Sequence, residues 1–286
     1  MIRPVTVGLD GSPESLAAAE WAAREAARHT LPLNLVQVWA WQPHDVPAPQ
    51  DPDTQRHWAL RILREAERRL LDLHPRLTVA TEQARGDTRE LLVERAETSE
   101  MLVLGSGGHG AVAGFLLGSV GRQVLAHARA PVVLVRQHAR SEAAYDDAEV
   151  VVGLSRPDRS AAPLLEFAFA EADARQSALR VVHAPSPPPH VRRDAAQGAG
   201  DALRGRAEKA LLDLLAPWQD SHPQVPVTLT VELDGAAGVL LQAAADAGLV
   251  VVGRRLHRPA LGPRIGPVTH AVLHHTAAPV AVVPQP

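Results

Sequence analysis

The sequence contains no cysteine, which excludes disulfide bridges, thiolate zinc sites and cysteine nucleophiles. Lysine is almost absent as well. Lys209 is the only lysine in the chain, so neither a P-loop lysine nor a Schiff-base lysine is expected. No segment reaches the roughly 18 apolar residues of a transmembrane helix, and the N-terminus shows no signal-peptide pattern. These absences predict a cytoplasmic protein with no membrane partner.

The overall composition is that of a globular protein. Apolar residues make up 46% of the chain, charged residues 21%, and the net charge is −3. A basic excess of the kind that nucleic-acid binding requires is missing, so no nucleic-acid partner is expected. With 286 residues the chain has room for two domains of the usual size, roughly 100 to 150 residues each.

An internal repeat divides the chain into two halves. Residues 5–10 match residues 150–155, and residues 102–105 match residues 250–253, in the same order along each half. Collinear matches in separate segments indicate duplication of a whole domain rather than a short repeating unit. The predicted domains are 1–138 and 149–286, and the predicted linker is 139–148.

Within each half, short apolar runs alternate with helical patterns, which is typical of a parallel sheet with helices on both faces. The predicted fold class is therefore α/β, with two tandem open parallel sheets of five strands each. The first half has predicted strands at 4–9, 33–39, 77–82, 101–104 and 132–136, and predicted helices at 13–29, 55–73, 88–98 and 119–128. The second half has predicted strands at 149–154, 179–183, 226–232, 249–252 and 280–283, and predicted helices at 158–175, 196–216, 236–247 and 267–275.

A glycine-rich loop, residues 105–119, joins the fourth strand of the first half to its fourth helix. Its glycines let main-chain N–H groups approach a ligand, and the helix N-terminus adds partial positive charge, so the loop suits a phosphate. It has no P-loop lysine and follows the fourth strand, which excludes the P-loop and the dinucleotide-binding glycine motif. Ser119 either donates its hydroxyl to a phosphate or caps the helix. His109 is either a phosphate contact or an exposed loop residue.

Asp10 ends the first predicted strand. It therefore lies at the carboxyl edge of the sheet, where open α/β sheets bind their ligands. A carboxylate at this edge suits the hydroxyl groups of a ribose. The alternative is that Asp10 caps the helix that follows.

The spacing Gly105-x-x-Gly108, nine further residues and then Gly118-Ser119 resembles the ATP-binding signature of the universal stress protein family. The resemblance extends over both halves. It implies Rossmann-like units, similar to adenine nucleotide α-hydrolases, that bind ATP or a related adenine nucleotide, with or without Mg²⁺. It also implies no catalytic apparatus and a role in stress adaptation. The positions that match the family's nucleotide-binding residues are Gly8, Leu9, Asp10, Val38, Leu104, Gly105, Gly107, Gly108, Gly118, Ser119 and Val120.

The second half departs from this signature. Leu256 stands where Gly108 does, Pro267 replaces Ser119, and Ser155 replaces Asp10. A bulky side chain and a residue with neither N–H nor hydroxyl remove contacts that a phosphate needs. We therefore expect nucleotide binding by the first domain only. Four arginines form either a solvated basic loop or an anion site in the second half. They are Arg254, Arg255, Arg258 and Arg264.

No catalytic or metal-binding residues are predicted. His270 and His274 have helical spacing but no carboxylate at matching spacing. The leading hypothesis is a nucleotide-binding regulatory protein, and the alternatives are a slow ATPase or an interaction module without nucleotide. An ATPase would need a general base, and none is evident.

Each half ends in an apolar strand, 132–135 and 280–283. In the family that the chain resembles, such strands form a dimer edge, and exposed edges need partners. The two halves are expected to pair within one chain or across two chains of a homodimer.

Overall fold

The computed structural model describes residues 2–39, 52–107, 118–137, 148–185, 197–256 and 265–286. The chain forms two compact units, Met1–Gln137 (unit 1) and His138–Pro286 (unit 2). The predicted linker, except for its last residue, and the loop residues Gly108 and His109 lie outside the described residues. No helix of the described part is long and apolar enough to cross a membrane.

Unit 1 alternates strands and helices along its described part. The elements are β1 (Val5–Leu9), α1 (Pro13–Arg28), β2 (Leu33–Trp39), α2 (Pro52–Leu73), β3 (Val79–Arg85), α3 (Thr88–Glu97), β4 (Met101–Gly105), α4 (Ser119–His127) and β5 (Val132–Val135). All the strand pairs recorded in this unit are parallel, in the order β3-β2-β1-β4-β5.

Unit 2 repeats this plan. Its elements are β6 (Val150–Leu154), a 3₁₀ turn (Arg159–Ala161), α5 (Ala162–Ala174), β7 (Leu179–His183), α6 (Gln197–Ser221), β8 (Val227–Val231), α7 (Ala236–Ala243), β9 (Leu249–Arg255), α8 (Pro267–His275) and β10 (Val280–Gln285). Its parallel strands follow the order β10-β9-β6-β7-β8. The predicted α/β class with two tandem parallel sheets is confirmed.

The chain order of the strands places a ligand crevice in each sheet. In unit 1 the chain runs outward from β1 through β2 to β3, and then returns to the other side of β1 with β4 and β5. Open α/β sheets bind ligands where the strand order reverses, at the carboxyl ends of the strands. The crevice of unit 1 therefore lies at the ends of β1 and β4.

The central strands are buried because helices cover both sheet faces. Val5 and Val7 on β1 have no exposed surface, and neither do Leu102 and Val103 on β4. Helix α1 contributes small side chains to the same core, which lets its main chain approach the sheet closely. Its fully buried alanines are Ala18, Ala22, Ala23 and Ala26.

Strand β3 starts later than its sequence pattern predicts. The prediction was 77–82, whereas the strand is Val79–Arg85. It pairs residue by residue with β2, from Val79 opposite Leu33 to Arg85 opposite Trp39. Because no side chain of this strand is fully buried, its limits are set by pairing with β2 rather than by an apolar run.

Three elements of unit 2 extend further than predicted: α6, β9 and β10. Helix α6 was predicted to end before Pro217 but continues to Ser221. A proline removes one main-chain donor, and the helix resumes after it: the Ser221 hydroxyl donates to the Pro217 carbonyl, and the His222 N–H donates to the Trp218 carbonyl. Strand β9 continues to Arg255 because β10 runs beside it as far as Gln285.

Candidate nucleotide site

The turn after β1 is held by three short polar residues. The Asp10 carboxylate accepts a hydrogen bond from the Ser12 N–H at 2.9 Å and another from the Ser12 hydroxyl. The Ser12 hydroxyl oxygen in turn accepts from the Ser15 N–H at 3.2 Å, so Ser12 is the N-cap of α1. Gly11, between them, has a φ of +82°, which favours glycine. Asp10 therefore shapes the turn and is exposed at its edge, and the alternative that it caps α1 is wrong.

A cavity of about 350 Å³ opens at the carboxyl edge of the unit 1 sheet. We call it the first cavity. Its size is within the roughly 300–1,000 Å³ usual for small-molecule sites. Ten of the predicted site residues line it: Gly8, Leu9, Asp10, Val38, Leu104, Gly105, Gly107, Gly118, Ser119 and Val120. The eleventh, Gly108, lies outside the described residues. The tertiary structure thus brings four separate segments to one place, while their role in binding stays a prediction.

Six further residues line the first cavity that sequence reasoning missed: Ser12, Ser15, Val36, Thr88, Leu92 and Gly121. Val36 could have been found from its position, because side chains two apart on a strand share a face and Val38 was already a candidate. Thr88 and Leu92 stand one turn apart at the start of α3. No motif marks that helix, so only the packing of α3 beside β1 reveals them.

One side of the first cavity is apolar. Val36, Leu92 and Leu104 are almost completely buried there, and Val38 is half-buried. Gly8 lies between β2 and β4, opposite Val36 and Leu104, and a Cβ at Gly8 would come 2.9 Å from the Leu104 side chain. The missing side chain at Gly8 therefore leaves space between these aliphatic walls.

The opposite side is formed by the N-terminus of α4. Gly118 is its N-cap, and the helix starts at Ser119 without a side-chain cap. The capping role considered for Ser119 therefore belongs to Gly118. The first main-chain N–H groups of a helix have no partner within it, and the helix dipole adds positive potential. Together with the exposed Ser119 hydroxyl, this end of the cavity suits an anion.

The glycines of the loop serve different purposes. A Cβ on Gly105 would lie 2.6 Å from the main-chain carbon of Glu14 and 2.6 Å from the main-chain nitrogen of Ser15. Gly105 is therefore required for the close contact between α1 and β4. A Cβ on Gly118, in contrast, would meet nothing within 4 Å. The packing of the described residues does not require glycine at position 118, and the space beside it is open.

Two ionic contacts stabilise α3, one at its N-terminus and one at its C-terminal end. Asp87 caps the helix and pairs with the Arg89 guanidinium, which together with main-chain N–H groups holds the pKa of Asp87 well below its usual range. At the far end, the Arg95 Nη2 lies 2.7 Å from the Glu82 Oε1 on β3. The hydrogen bond from Arg95 also lowers the pKa of Glu82. The first contact stabilises the first turn of α3, which lines the cavity, and the second joins the last turn of the helix to β3.

Unit 2 has a smaller cavity of about 260 Å³ at the equivalent edge, which we call the second cavity. Ser155 lines it where the first cavity has Asp10, and Pro267 begins α8 where Ser119 begins α4. Arg254 and Arg255 belong to strand β9, and Arg254 is buried, so these two residues do not form the solvated loop considered from the sequence. Arg258 and Arg264 lie outside the described residues.

The fold and its cavities define a class of protein: tandem open parallel-sheet units with a cavity at the switch point of each sheet. The family model described as Universal stress protein family matches residues 1–136 and 148–284. The chain belongs to the universal stress protein family, as a member with two tandem domains, which confirms the resemblance seen in the sequence.

Similar proteins cover the whole chain. Universal stress protein Rv2005c of Mycobacterium tuberculosis is 34% identical over 98% of this chain and 97% of its own length. Universal stress protein Rv2623 of the same species is 33% identical over 97% of this chain and 95% of its own length. A crystal structure of a universal stress protein from Archaeoglobus fulgidus DSM 4304 matches with a TM-score of 0.67 and 16% identity, covering 98% of both chains. The last match supports the fold.

Proposed function

We propose that the first cavity binds an adenine nucleotide and that the chain acts as a nucleotide-binding regulatory protein in stress adaptation. The observation that carries the proposal is the convergence of ten predicted residues around one cavity with an apolar side and an anion-binding side. A nucleotide has the same two-part chemistry, with an apolar base at one end and charged phosphates at the other. Membership of the family supports the same ligand.

The residues suggest how the nucleotide lies in the cavity. The base is placed against the apolar side that includes Val36, Val38 and Leu92, where burial of apolar surface stabilises it. Asp10 lies at the end of β1 and accepts hydrogen bonds from the ribose hydroxyls. The phosphates occupy the N-terminus of α4, where Ser119 donates its hydroxyl. The proposed ligand is ATP, with or without Mg²⁺.

The proposal assigns the nucleotide to unit 1 alone. In unit 2 the Gln285 side chain lies against Gly253 and lines the second cavity, whereas in unit 1 the main chain of α1 lies against Gly105. Pro267 removes a donor from the helix N-terminus, and Ser155 provides no carboxylate for a ribose. These differences remove the phosphate and ribose contacts, so we expect one nucleotide per chain.

The proposed role is regulatory rather than enzymatic. Among the described residues that line the first cavity, Asp10 is the only one with an ionisable side chain. Phosphoryl transfer needs cationic groups or metal ions on the transferring phosphoryl group and a residue that orients the nucleophile. Binding without rapid hydrolysis fits this set of residues better. A single-turnover assay with the purified protein tests the point, because fast protein-dependent phosphate release would contradict it.

Calorimetric titration of the full chain with ATP, ADP and AMP tests nucleotide binding directly. The key variant is Gly118→Ala, whose Cβ points into open space that a phosphate would use. We expect about a tenfold or greater loss of ATP affinity, roughly 1.4 kcal/mol or more. Gly266→Ala, at the equivalent N-cap of α8, is the matched control and should leave ATP binding unchanged.

Three results would contradict this proposal. They are an absence of saturable binding of any adenine nucleotide by the wild-type chain, ATP binding by Gly118→Ala as tight as that of the wild type, and a stoichiometry of two nucleotides per chain. Mass spectrometry of ligand released from the purified protein gives an independent count. It also identifies which nucleotide the chain carries.

A further inference from the structure

The second cavity retains only half of the chemistry of the first. Its apolar half is equivalent in position. Val182 on β7 is paired with Gly153 as Val36 on β2 is paired with Gly8, and Ala184, just after β7, corresponds to Val38. Leu240 faces Gly153 as Leu92 faces Gly8. Val252 on β9 completes these walls. A flat apolar group that fits the first cavity therefore has an equivalent place in the second.

The other half of the second cavity is lined by an uncharged polar side chain, that of Gln285. In unit 1 the recorded main-chain pairing of β4 with β5 ends with the hydrogen bond from the Ser106 N–H to the carbonyl of Val135, the last residue of β5. In unit 2 the two equivalent strands stay paired further, and the Leu256 N–H donates to the Gln285 carbonyl. This extension places the Gln285 side chain beside Gly253, where it lines the cavity while only 9% of the residue is exposed.

The polar groups that face the second cavity are all uncharged. They are the Gln285 amide and the hydroxyls of Thr269 and Ser155, and no described residue lining the cavity carries a charge. The Gln285 amide both donates and accepts hydrogen bonds, whereas the Thr269 hydroxyl donates to the Gly253 carbonyl at 3.3 Å and can accept from a ligand. A phosphate here would lack a partner that the first cavity offers, because Pro267 at the start of α8 has neither the N–H nor the hydroxyl of Ser119. Desolvation of an unpaired charge costs far more than that of a neutral polar group.

From this geometry we propose that the second cavity binds an uncharged purine nucleoside, with the base between the aliphatic walls and the sugar hydroxyls at Gln285 and Thr269. The choice of a purine rests on the proposed function of the first cavity, whose apolar half the second one repeats. The chain then has two sites of different charge preference. Unit 1 takes the phosphorylated ligand and unit 2 takes the same kind of ligand without phosphate.

A matched pair of cavity-filling variants separates the two sites in the full-length chain. Val38→Trp fills the first cavity and Ala184→Trp fills the second, at equivalent half-buried positions at the ends of β2 and β7. The probes are adenosine, AMP and ATP, titrated by calorimetry. Circular dichroism and thermal unfolding of each variant establish that it is folded before binding is compared.

The Val38→Trp chain is expected to bind one adenosine and to prefer adenosine over AMP by about tenfold or more, since the second cavity lacks the N–H and the hydroxyl that Ser119 offers a phosphate in the first. The Ala184→Trp chain should lose this adenosine site and keep ATP binding. A third variant, Gln285→Ala, should weaken adenosine binding severalfold in the Val38→Trp background because it removes the amide. It gives a second test if either tryptophan variant fails to fold.

Several results would overturn the proposal. One is a folded Val38→Trp chain that binds no adenosine up to millimolar concentration, and another is a chain whose remaining site binds AMP as tightly as adenosine. Unchanged adenosine binding after Ala184→Trp would also overturn it. Failure of the first-cavity proposal looks different: ATP would not bind to the wild type, while adenosine binding would still be removed by Ala184→Trp.

Discussion

At the scale of single residues, Gly105 and Gly118 show that glycine can occupy two positions of one loop for different reasons. A side chain at Gly105 would collide with the main chain of α1, whereas a side chain at Gly118 would meet open space. The first glycine is thus explained by packing. No contact among the described residues explains the second, since glycine at a solvent-facing N-cap brings no advantage in stability over serine or aspartate, and the proposed function assigns this position to the ligand.

This difference predicts opposite outcomes for two alanine variants. Gly105→Ala should lower the free energy of unfolding by about 1–3 kcal/mol, because a Cβ there forces α1 away from β4. Gly118→Ala should change it by less than about 0.5 kcal/mol. Urea denaturation without ligand measures both values. A Gly118→Ala chain as unstable as Gly105→Ala would show that the fold itself requires glycine at the N-cap of α4.

Asp10 allows a test of its proposed contact with the ribose. In Asp10→Asn the amide oxygen can still accept from the Ser12 N–H, so the turn after β1 should persist. The loss of a charged acceptor should weaken ATP binding by about tenfold or more. Binding of 2′,3′-dideoxy-ATP, which lacks both ribose hydroxyls, should be nearly the same in wild type and variant. An equal loss for both nucleotides would place Asp10 away from the ribose.

At the scale of elements, helix α3 depends on its contacts with β3. Arg95 donates from Nε and Nη2 to the Glu82 carboxylate, with distances of 2.7 to 3.0 Å, and both side chains are about one third exposed or less. Asn34 on the neighbouring strand adds a hydrogen bond to the same carboxylate. The helix contributes Thr88 and Leu92 to the first cavity, so this contact links strand β3 at the edge of the sheet to that cavity.

The ion pair predicts a pH dependence of stability. The pKa of Glu82 is lowered below its ordinary value of 4.5 in the folded state, chiefly by the hydrogen bond from Arg95. Its contribution is therefore present above pH 4.5 and is lost as the pH falls through the lowered, folded-state pKa. Since the pair is partly exposed, Glu82→Gln should cost about 0.5–1 kcal/mol at pH 7.

Denaturation curves of the wild type and Glu82→Gln at several pH values check this expectation. The difference between the two chains should be greatest near neutral pH and should shrink below pH 4.5. The matched control is Glu97→Gln, at the exposed end of the same helix, which should show little difference at any of these pH values. A Glu82→Gln effect that grows as the pH falls would contradict the assigned direction of the pKa shift.

Strands β9 and β10 show how a small change in element length alters a site. The extra pairing as far as Arg255 and Gln285 brings Arg254 into the sheet and the Gln285 side chain into the second cavity. In unit 1 the recorded pairing of β4 with β5 ends at Gly105 and Val135, and the chain then leaves as the glycine loop. Two units of one fold thus have cavities of different size and polarity.

At the scale of the whole molecule, we expect one ATP to bind per chain and to stabilise the folded state. A ligand at 100 times its Kd stabilises the folded state by about 2.7 kcal/mol. ATP should therefore raise the Tm of the wild-type chain, and Val38→Trp should abolish that increase while Ala184→Trp should not. Differential scanning calorimetry measures the three chains side by side. Equal shifts in wild type and Val38→Trp would place the ATP elsewhere.

The terminal strands β5 and β10 are the predicted sites of pairing, either between the two halves of one chain or between two chains. This pairing stays a prediction. Both are apolar, Val-Val-Leu-Val in β5 and Val-Ala-Val-Val at the start of β10. Light scattering distinguishes a monomer, in which the two halves pair within one chain, from a homodimer. We expect the oligomeric state to be the same with and without ATP, because neither strand contributes a residue to the first cavity.

The sequence by itself determined the family, the fold class and most of the first cavity. The repeat and the apolar runs are local patterns, and the glycine spacing between Gly105 and Ser119 is local as well. Such patterns are visible without coordinates because the periodicity of strands and helices is written into the order of the residues. Strand β3 escaped accurate placement because its limits depend on pairing with β2 rather than on its own side chains.

Only the tertiary structure decided what lies opposite each segment. It placed Thr88 and Leu92 of α3 beside the glycines, assigned the cap of α1 to Ser12 rather than Asp10, and put Gln285 against Gly253. These residues are far apart in sequence or carry no motif. Contacts between distant segments arise when helices dock on the sheet, so no window of sequence contains them. The different chemistry of the two cavities is therefore a property of the fold.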